Sequence, residues 1–234
     1  GRETITTTQL LITHPQARSG VYHINPIRQD IEIIGRKAEI DFSLGTILNE
    51  DKKILKVFFG EPGAVMKAAI PAVQKAFGVN VPARYDLVIA SPGGAPKDIN
   101  LYQAEKSLTP AARITRDGGW VILLAACPEG SGSASYEDYI KTADSHQAVI
   151  DHFESGFFQI GPHKAYQIAR EAVRVNLVVV SEIPPKQIRS WKLTPSTPDL
   201  LPQLIDWVAA RLPKGARAAV LPAATRTMTE VKSE

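Results

Sequence analysis

The sequence predicts an α/β fold: a layered, mostly parallel sheet with helices on both faces, preceded by a smaller hairpin-plus-helix segment. Three observations predict it. Apolar runs at 87–90, 120–126 and 177–181 lack period-two alternation, as strands buried on both faces do. Stretches of helical character separate these runs, the arrangement of a parallel sheet layered with helices. Earlier, residues 38–60 alternate apolar and polar around Asn49-Glu50-Asp51-Lys52, the pattern of a β-hairpin.

Taken in order, residues 1–35 mix Thr, Pro, Gly and polar residues, with a short helix expected over 26–35. Asn25 before Pro26 has the form of an N-cap followed by proline at the first helical position. The hairpin ends in Gly60-Glu61-Pro62-Gly63, and a helix is expected from about 64 to 77. Pro71 should kink or split that helix, because it removes one N–H donor and crowds the preceding turn. Turn signals at 78–84 mark the expected domain boundary, so residues 1–80 read as one domain and 85–222 as an α/β domain. The strands of the second domain are the three apolar runs and a weaker one at 218–221. Its helices are expected near 101–116, 136–143, 146–154, 163–174, 185–190 and 200–212. The tail at 223–234 reads as loose.

Composition excludes several classes. The chain has 234 residues, 44% hydrophobic and 22% charged, with a net charge of +3. These values are ordinary for a globular protein, and without a basic stripe they give no support for nucleic-acid binding. No apolar segment reaches the roughly 18 residues needed to span a bilayer, and no signal-peptide pattern opens the chain. The single cysteine, Cys127, rules out an internal disulfide and fits a reducing cytosol, so a cytoplasmic location is expected. Following the run 121–124, it reads as a small packed hydrophobe. The chain opens on Gly1 without a methionine, and is expected to be a piece of a longer protein.

The chemistry concentrates in 85–106, YDLVIASPGGAPKDINLYQAEK. A strand, a Ser-Pro-Gly-Gly loop and a helix start in that order form a common anion site, because the first helical N–H groups lack internal partners. Tyr102 and Lys106 share a helix face, with Gln103 beside them. A lysine there suits a carboxylate or phosphate, and an amide and a phenol orient a hydroxyl or carbonyl. Spacing alone slightly favours a solvated lysine and a half-buried tyrosine. The loop Pro128-Glu129-Gly130-Ser131-Gly132-Ser133 leaves the same carboxyl edge of the sheet, so the two loops should flank one crevice. His163-Lys164, at a helix start after Gly-Pro, is a further candidate pair, though a lone histidine is more often a structural hydrogen-bonder. The other histidines (14, 23, 146 and 152) lack metal-ligand spacing. Phosphate-loop, dinucleotide and serine-hydrolase patterns are absent.

Two runs carry a family resemblance. SPGGAPKDINLYQAEKSLTPAARITRDGGWVILLAACPEGSG resembles the C-terminal domain of the nickel-dependent lactate racemase family. GRETITTTQLLITHPQARSGVYHINPIRQDI, the hairpin ending VFFGEP and the helix behind it resemble the last part of that family's N-terminal domain. The resemblance implies racemisation or epimerisation of a 2-hydroxy acid, by hydride transfer through a nickel-pincer nucleotide enclosed by two domains. It places the acid/base histidines and the cofactor-tethering lysine upstream of this chain. The missing N-terminal portion is therefore the implied partner, and the chain alone should be inactive.

The family's substrate-side Tyr, Gln and Lys fall on Tyr102, Gln103 and Lys106. With His163 and Lys164, which stand where the lactate enzymes carry a tryptophan, these are the candidate catalytic residues. Cofactor-binding residues and metal ligands are not assigned to this chain. At the family's nickel-binding histidine the sequence has Gln9, whose amide oxygen is a poorer nickel ligand than imidazole. Either the cofactor is held differently or the nickel chemistry is lost. The rival expectation is accordingly a non-catalytic carboxylate- or nucleotide-binding homologue, and a purely structural module is a third.

Overall fold

The computed structural model describes residues 7–8, 10–155 and 162–232. The chain divides into two compact units, Gly1–Gly78 and Val79–Glu234.

In the first unit, α1 (Pro26–Lys37) starts as its sequence directs: the Asn25 side chain accepts from the N–H groups of Ile27 and Arg28, with Pro26 at the first position. Strands β1 (Ser43–Leu48) and β2 (Ile54–Gly60) pair antiparallel as the expected hairpin. Helix α2 (Pro62–Phe77) follows, its first turn capped by the Glu61 carboxylate on the N–H groups of Gly63 and Ala64. The helix runs unbroken through Pro71, contrary to the expected split. The proline costs one backbone bond, and packing of the helix on the hairpin, with Val65 against Gly45, holds both halves together.

Little of this unit is closed off from solvent. Phe42, Leu44, Ile54, Val57 and Phe59 are all exposed, and Phe42 and Phe59 face each other with ring centroids 5.1 Å apart. An open cleft of about 600 Å³ lies between hairpin and helix, lined by Ile47, Leu55, Ala68, Pro71 and Ala72 among others.

The second unit is built on a five-stranded parallel sheet. Its strands are β4 (Tyr85–Ala90), β5 (Thr115–Leu124), β6 (Asn176–Val180), β7 (Thr194–Ser196) and β8 (Ala218–Leu221), in the spatial order β7-β6-β5-β4-β8. One face is covered by α3 (Leu101–Ala104), α4 (Leu108–Arg113), α5 (Ala134–Thr142), α6 (His146–Glu154), α7 (Pro162–Ala172) and α8 (Pro185–Ser190). Val88, Ala90, Val121, Leu123 and Val179 point into that layer, against Leu108, Ile140, Ile168, Ile188 and Trp191. On the other face Leu87, Ile122 and Val178 pack under α9 (Leu201–Ala209) through Val208, Leu204 and Ile205. The three central strands β4, β5 and β6 thus bury both faces, which is why their runs do not alternate. Fully burying each such Val, Leu or Ile stabilises by about 1.5–3 kcal/mol.

The fold class is as the sequence predicts, with corrections of detail. The tail expected to be loose forms β9 (Met228–Val231), paired with β3 (Gly78–Val81). Thr229 on it is buried and donates to the Pro110 carbonyl at 2.7 Å. The expected helix at 101–116 is shorter and interrupted: a 3₁₀ turn, Glu105–Ser107, separates α3 from α4.

Candidate functional site

The chain runs one way from β4 through β5, β6 and β7, then returns to the other side of β4 as β8. The strand order therefore reverses at the β4/β8 junction, where open α/β sheets form ligand crevices. The Ser-Pro-Gly-Gly loop leaves β4 there and is braced from the β8 side. Ser91 N–H donates to Leu221 O, Ala224 N–H donates to Ser91 O, and Thr225 Oγ1 donates to Pro92 O at 2.8 Å. Gly93 (φ +96°) lies against the Ala223 backbone, and Gly94 (φ +76°) faces open space. Both take the left-handed conformation that favours glycine.

The helix start beyond this loop is not an open anion site. Leu101 N–H donates to Gly130 O and Tyr102 N–H to Ser131 O, while Gln103 N–H is capped by the Asn100 side chain at 3.1 Å. The donors that the sequence offered to a ligand are satisfied by the second loop, and α3 has only four residues. That loop is joined to the first segment along its length: Cys127 N–H donates to Asp98 O and Glu129 N–H to Ile99 O. The two loops are fused, where the sequence suggested that they face each other across a gap.

What remains open is a row of side chains. Lys106 is exposed and its Nζ donates to Gln103 Oε1 at 2.6 Å. That bond turns the Gln103 amide oxygen toward the lysine, and the amide keeps its NH₂ group as a donor. Lys106 keeps two further N–H donors. Tyr102, half-buried, adds a hydroxyl 3.4 Å from His163 Nε2, with the two rings edge-on at 5.9 Å between centroids. The structure thus brings Tyr102, Gln103, Lys106 and His163 together at the carboxyl edge of the sheet. The row is rich in donors and suits an oxygen-rich anion.

Lys164 turns inward. It is buried and ion-paired with Glu105, and its Nζ also lies 4.9 Å from the Tyr102 ring centroid. Burial raises the Glu105 carboxyl above the ordinary carboxylate range, while the Lys164 ammonium pulls it back. Sequence reasoning missed Glu105 altogether. Its one visible signal was a carboxylate between two helix turns whose neighbours, Ala104 and Leu108, are core residues.

Gln9 lies outside the described residues. Among the described residues no group of three or more His, Cys, Asp or Glu side chains is arranged to hold a metal ion, and no helix is long and apolar enough to cross a membrane. The described residues do not themselves fit as a nickel site.

Fold and site together define an α/β domain carrying a donor-rich row at a sheet edge. The family model of the lactate racemase C-terminal domain matches residues 81–200, and the chain belongs to that family. It is 33% identical over 141 residues to the lactate racemase of Thermoanaerobacterium thermosaccharolyticum, an overlap of 60% of this chain and 33% of that protein. The lactate racemase of Lactiplantibacillus plantarum matches with the same identity and the same coverage. Matched residues thus span about a third of the length of these curated relatives. Among solved structures, the lactate racemase apoprotein of T. thermosaccharolyticum superposes with a TM-score of 0.90 at 24% identity, over 97% of this chain and 55% of that one. A Thermotoga maritima protein matches with a TM-score of 0.64 at 13% identity, over 89% and 54%. These superpositions speak to the fold, and the likeness to the apoprotein extends over the hairpin-plus-helix segment as well.

Proposed function

We propose that this chain is the substrate-side portion of a lactate-racemase-like protein acting on a 2-hydroxy acid. The observation that carries the reading is the Lys106–Gln103 pair, hydrogen-bonded at 2.6 Å and exposed at the carboxyl edge of a racemase-family domain. Lys106 holds the carboxylate by a charge-assisted bond, and the Gln103 NH₂ group meets a carboxylate or C2 oxygen. Tyr102 and His163 form the wall beside them.

A nickel-pincer nucleotide, when bound, supplies the hydride acceptor for inversion at C2. By family likeness it is held by the portion of the relatives that this chain does not match, together with the acid/base histidines. The exposed apolar hairpin of the first unit is the surface that such a portion would cover. The 234-residue chain alone is expected to bind without reacting. Cys127 as the sole thiol fits a reducing cytosol, the compartment we assign.

Gln9 favours a second reading, a carboxylate-binding homologue without nickel chemistry. The test is to join the chain to the family's N-terminal portion, produce it alongside the cofactor-making enzymes, and measure nickel and racemisation together. Stoichiometric nickel with racemisation of a 2-hydroxy acid supports the enzyme. Tight hydroxy-acid binding without nickel supports the second reading and overturns the first.

A further inference from the structure

Polar contacts among the described residues join α7 to the segment carrying the donor row, among them Tyr102 to His163, Glu105 to Lys164, and Thr109 Oγ1 to Glu171 Oε1 at 3.3 Å. The middle one is unlike the others. Glu105 and Lys164 are 3% and 7% exposed, so two charges have been taken out of water together. Apolar side chains of similar volume would generally stabilise the fold as well or better. Stability alone therefore gives no reason for a charged pair here.

Geometry gives one. Glu105 opens the 3₁₀ turn at 105–107, where regular helix is interrupted and the backbone ladder is weakest. The turn sends Glu105 into the core and its neighbour Lys106 out to solvent. Glu105 in turn holds the Lys164 ammonium 4.9 Å from the centroid of the Tyr102 ring, a distance at which a cation attracts an aromatic face. With His163 at the phenol, the ring is held at its face and at its hydroxyl. Because Glu105 neutralises Lys164, the clamp adds no second free charge beside Lys106.

We propose that the buried Glu105–Lys164 pair is a positioning device: it fixes the Tyr102 ring and, through it, the Tyr102–Gln103–Lys106 row for an incoming carboxylate. The proposal rests on the reading of that row as a carboxylate contact. Glu105 and Lys164 are positioning residues and do not touch the ligand.

The test labels the chain with 3-fluorotyrosine and identifies the Tyr102 fluorine resonance by its loss in Tyr102→Phe. The main variant is the double Glu105→Gln/Lys164→Met, because a single truncation would strand a buried charge. Should the double variant not fold by circular dichroism, Glu105→Asp gives the same reading, keeping both charges and withdrawing the carboxylate by one methylene. The expected result is a folded protein whose Tyr102 resonance, single in the parent, broadens or splits. Affinity for L-lactate, read by titration, falls about tenfold. Lys164→Arg, which keeps the ion pair and the cation over the ring, returns both readouts toward the parent. An unchanged, single Tyr102 resonance in the folded variant overturns the proposal, and so does an altered resonance with lactate affinity unchanged. Lys106→Ala separates the two claims. If parent and Lys106→Ala chains respond alike to lactate, the carboxylate reading of the row falls, while the fluorine result still decides whether the pair holds Tyr102.

Discussion

Asn100 lies so close to Gly132 that a β-carbon built on the glycine would come within 2.3 Å of the Asn100 side chain. The contact links the two loops of the site, since Asn100 also caps Gln103 and donates to Glu129 Oε2 at 3.4 Å. Gly132 is required on a second count, because its φ of +72° is costly for any residue with a β-carbon.

Gly132→Ala is therefore expected to destabilise the second unit by about 1–3 kcal/mol. It should also loosen the Gln103 cap. Urea unfolding measures the first effect, and loss of amide protection at Gln103 the second. An unchanged midpoint would mean that Asn100 moves aside at no cost.

Removing the cap directly asks the same question from the other side. Asn100→Ala is expected to cost about 0.5–2 kcal/mol, the usual range for an N-cap. The two changes share one contact, so the double variant should lose less than the sum of the singles.

Cys127 should resist modification. It is buried with φ +53°, and burial, aided by the nearby carboxylates of Asp98 and Glu182, pushes its thiol up to about 12. At pH 8 the thiolate is scarce, and the sulfur is shielded besides. A disulfide exchange reagent should label it only at the rate of unfolding; prompt labelling of the native chain would contradict this.

His146 supplies a pH dependence. Burial holds its imidazole below the ordinary value, although its ring nitrogen bonds Lys192 O at 3.0 Å. The unfolded chain then binds a proton that the folded one does not, over the range between the lowered value and the unfolded value of about 6.5. The stabilisation is complete above that range and lost as pH falls through it. Thermal midpoints between pH 7.5 and 5.5 should drop more for the parent than for His146→Gln. Parallel curves would exclude the histidine as the cause.

The central strands of the sheet were legible in the sequence because burial on both faces leaves unbroken apolar runs, as at 87–90 and 177–180. The cap at Asn25 was legible because its partners lie two and three residues on. Strand β7 was not: it has three residues with Pro195 in the middle, which only an edge strand tolerates. Strand β9 was hidden for another reason, since its composition is that of a tail and its partner β3 begins 150 residues earlier.

The site divides in the same way. Tyr102, Gln103 and Lys106 lie within two turns and could be read together, but the partners of Tyr102 and Glu105, His163 and Lys164, lie 61 and 59 residues further on. The satisfied helix start was likewise out of reach, because its acceptors at Gly130 and Ser131 belong to another loop.

The account stands most directly on Lys106 as the carboxylate anchor. Titrating L-lactate into the chain and into Lys106→Ala tests it. A bond from an ammonium to a carboxylate is worth about 1.5–3 kcal/mol, so the variant should bind at least about tenfold more weakly with its fold intact. Equal affinity in the two proteins, or no saturable binding by the parent, would contradict the account.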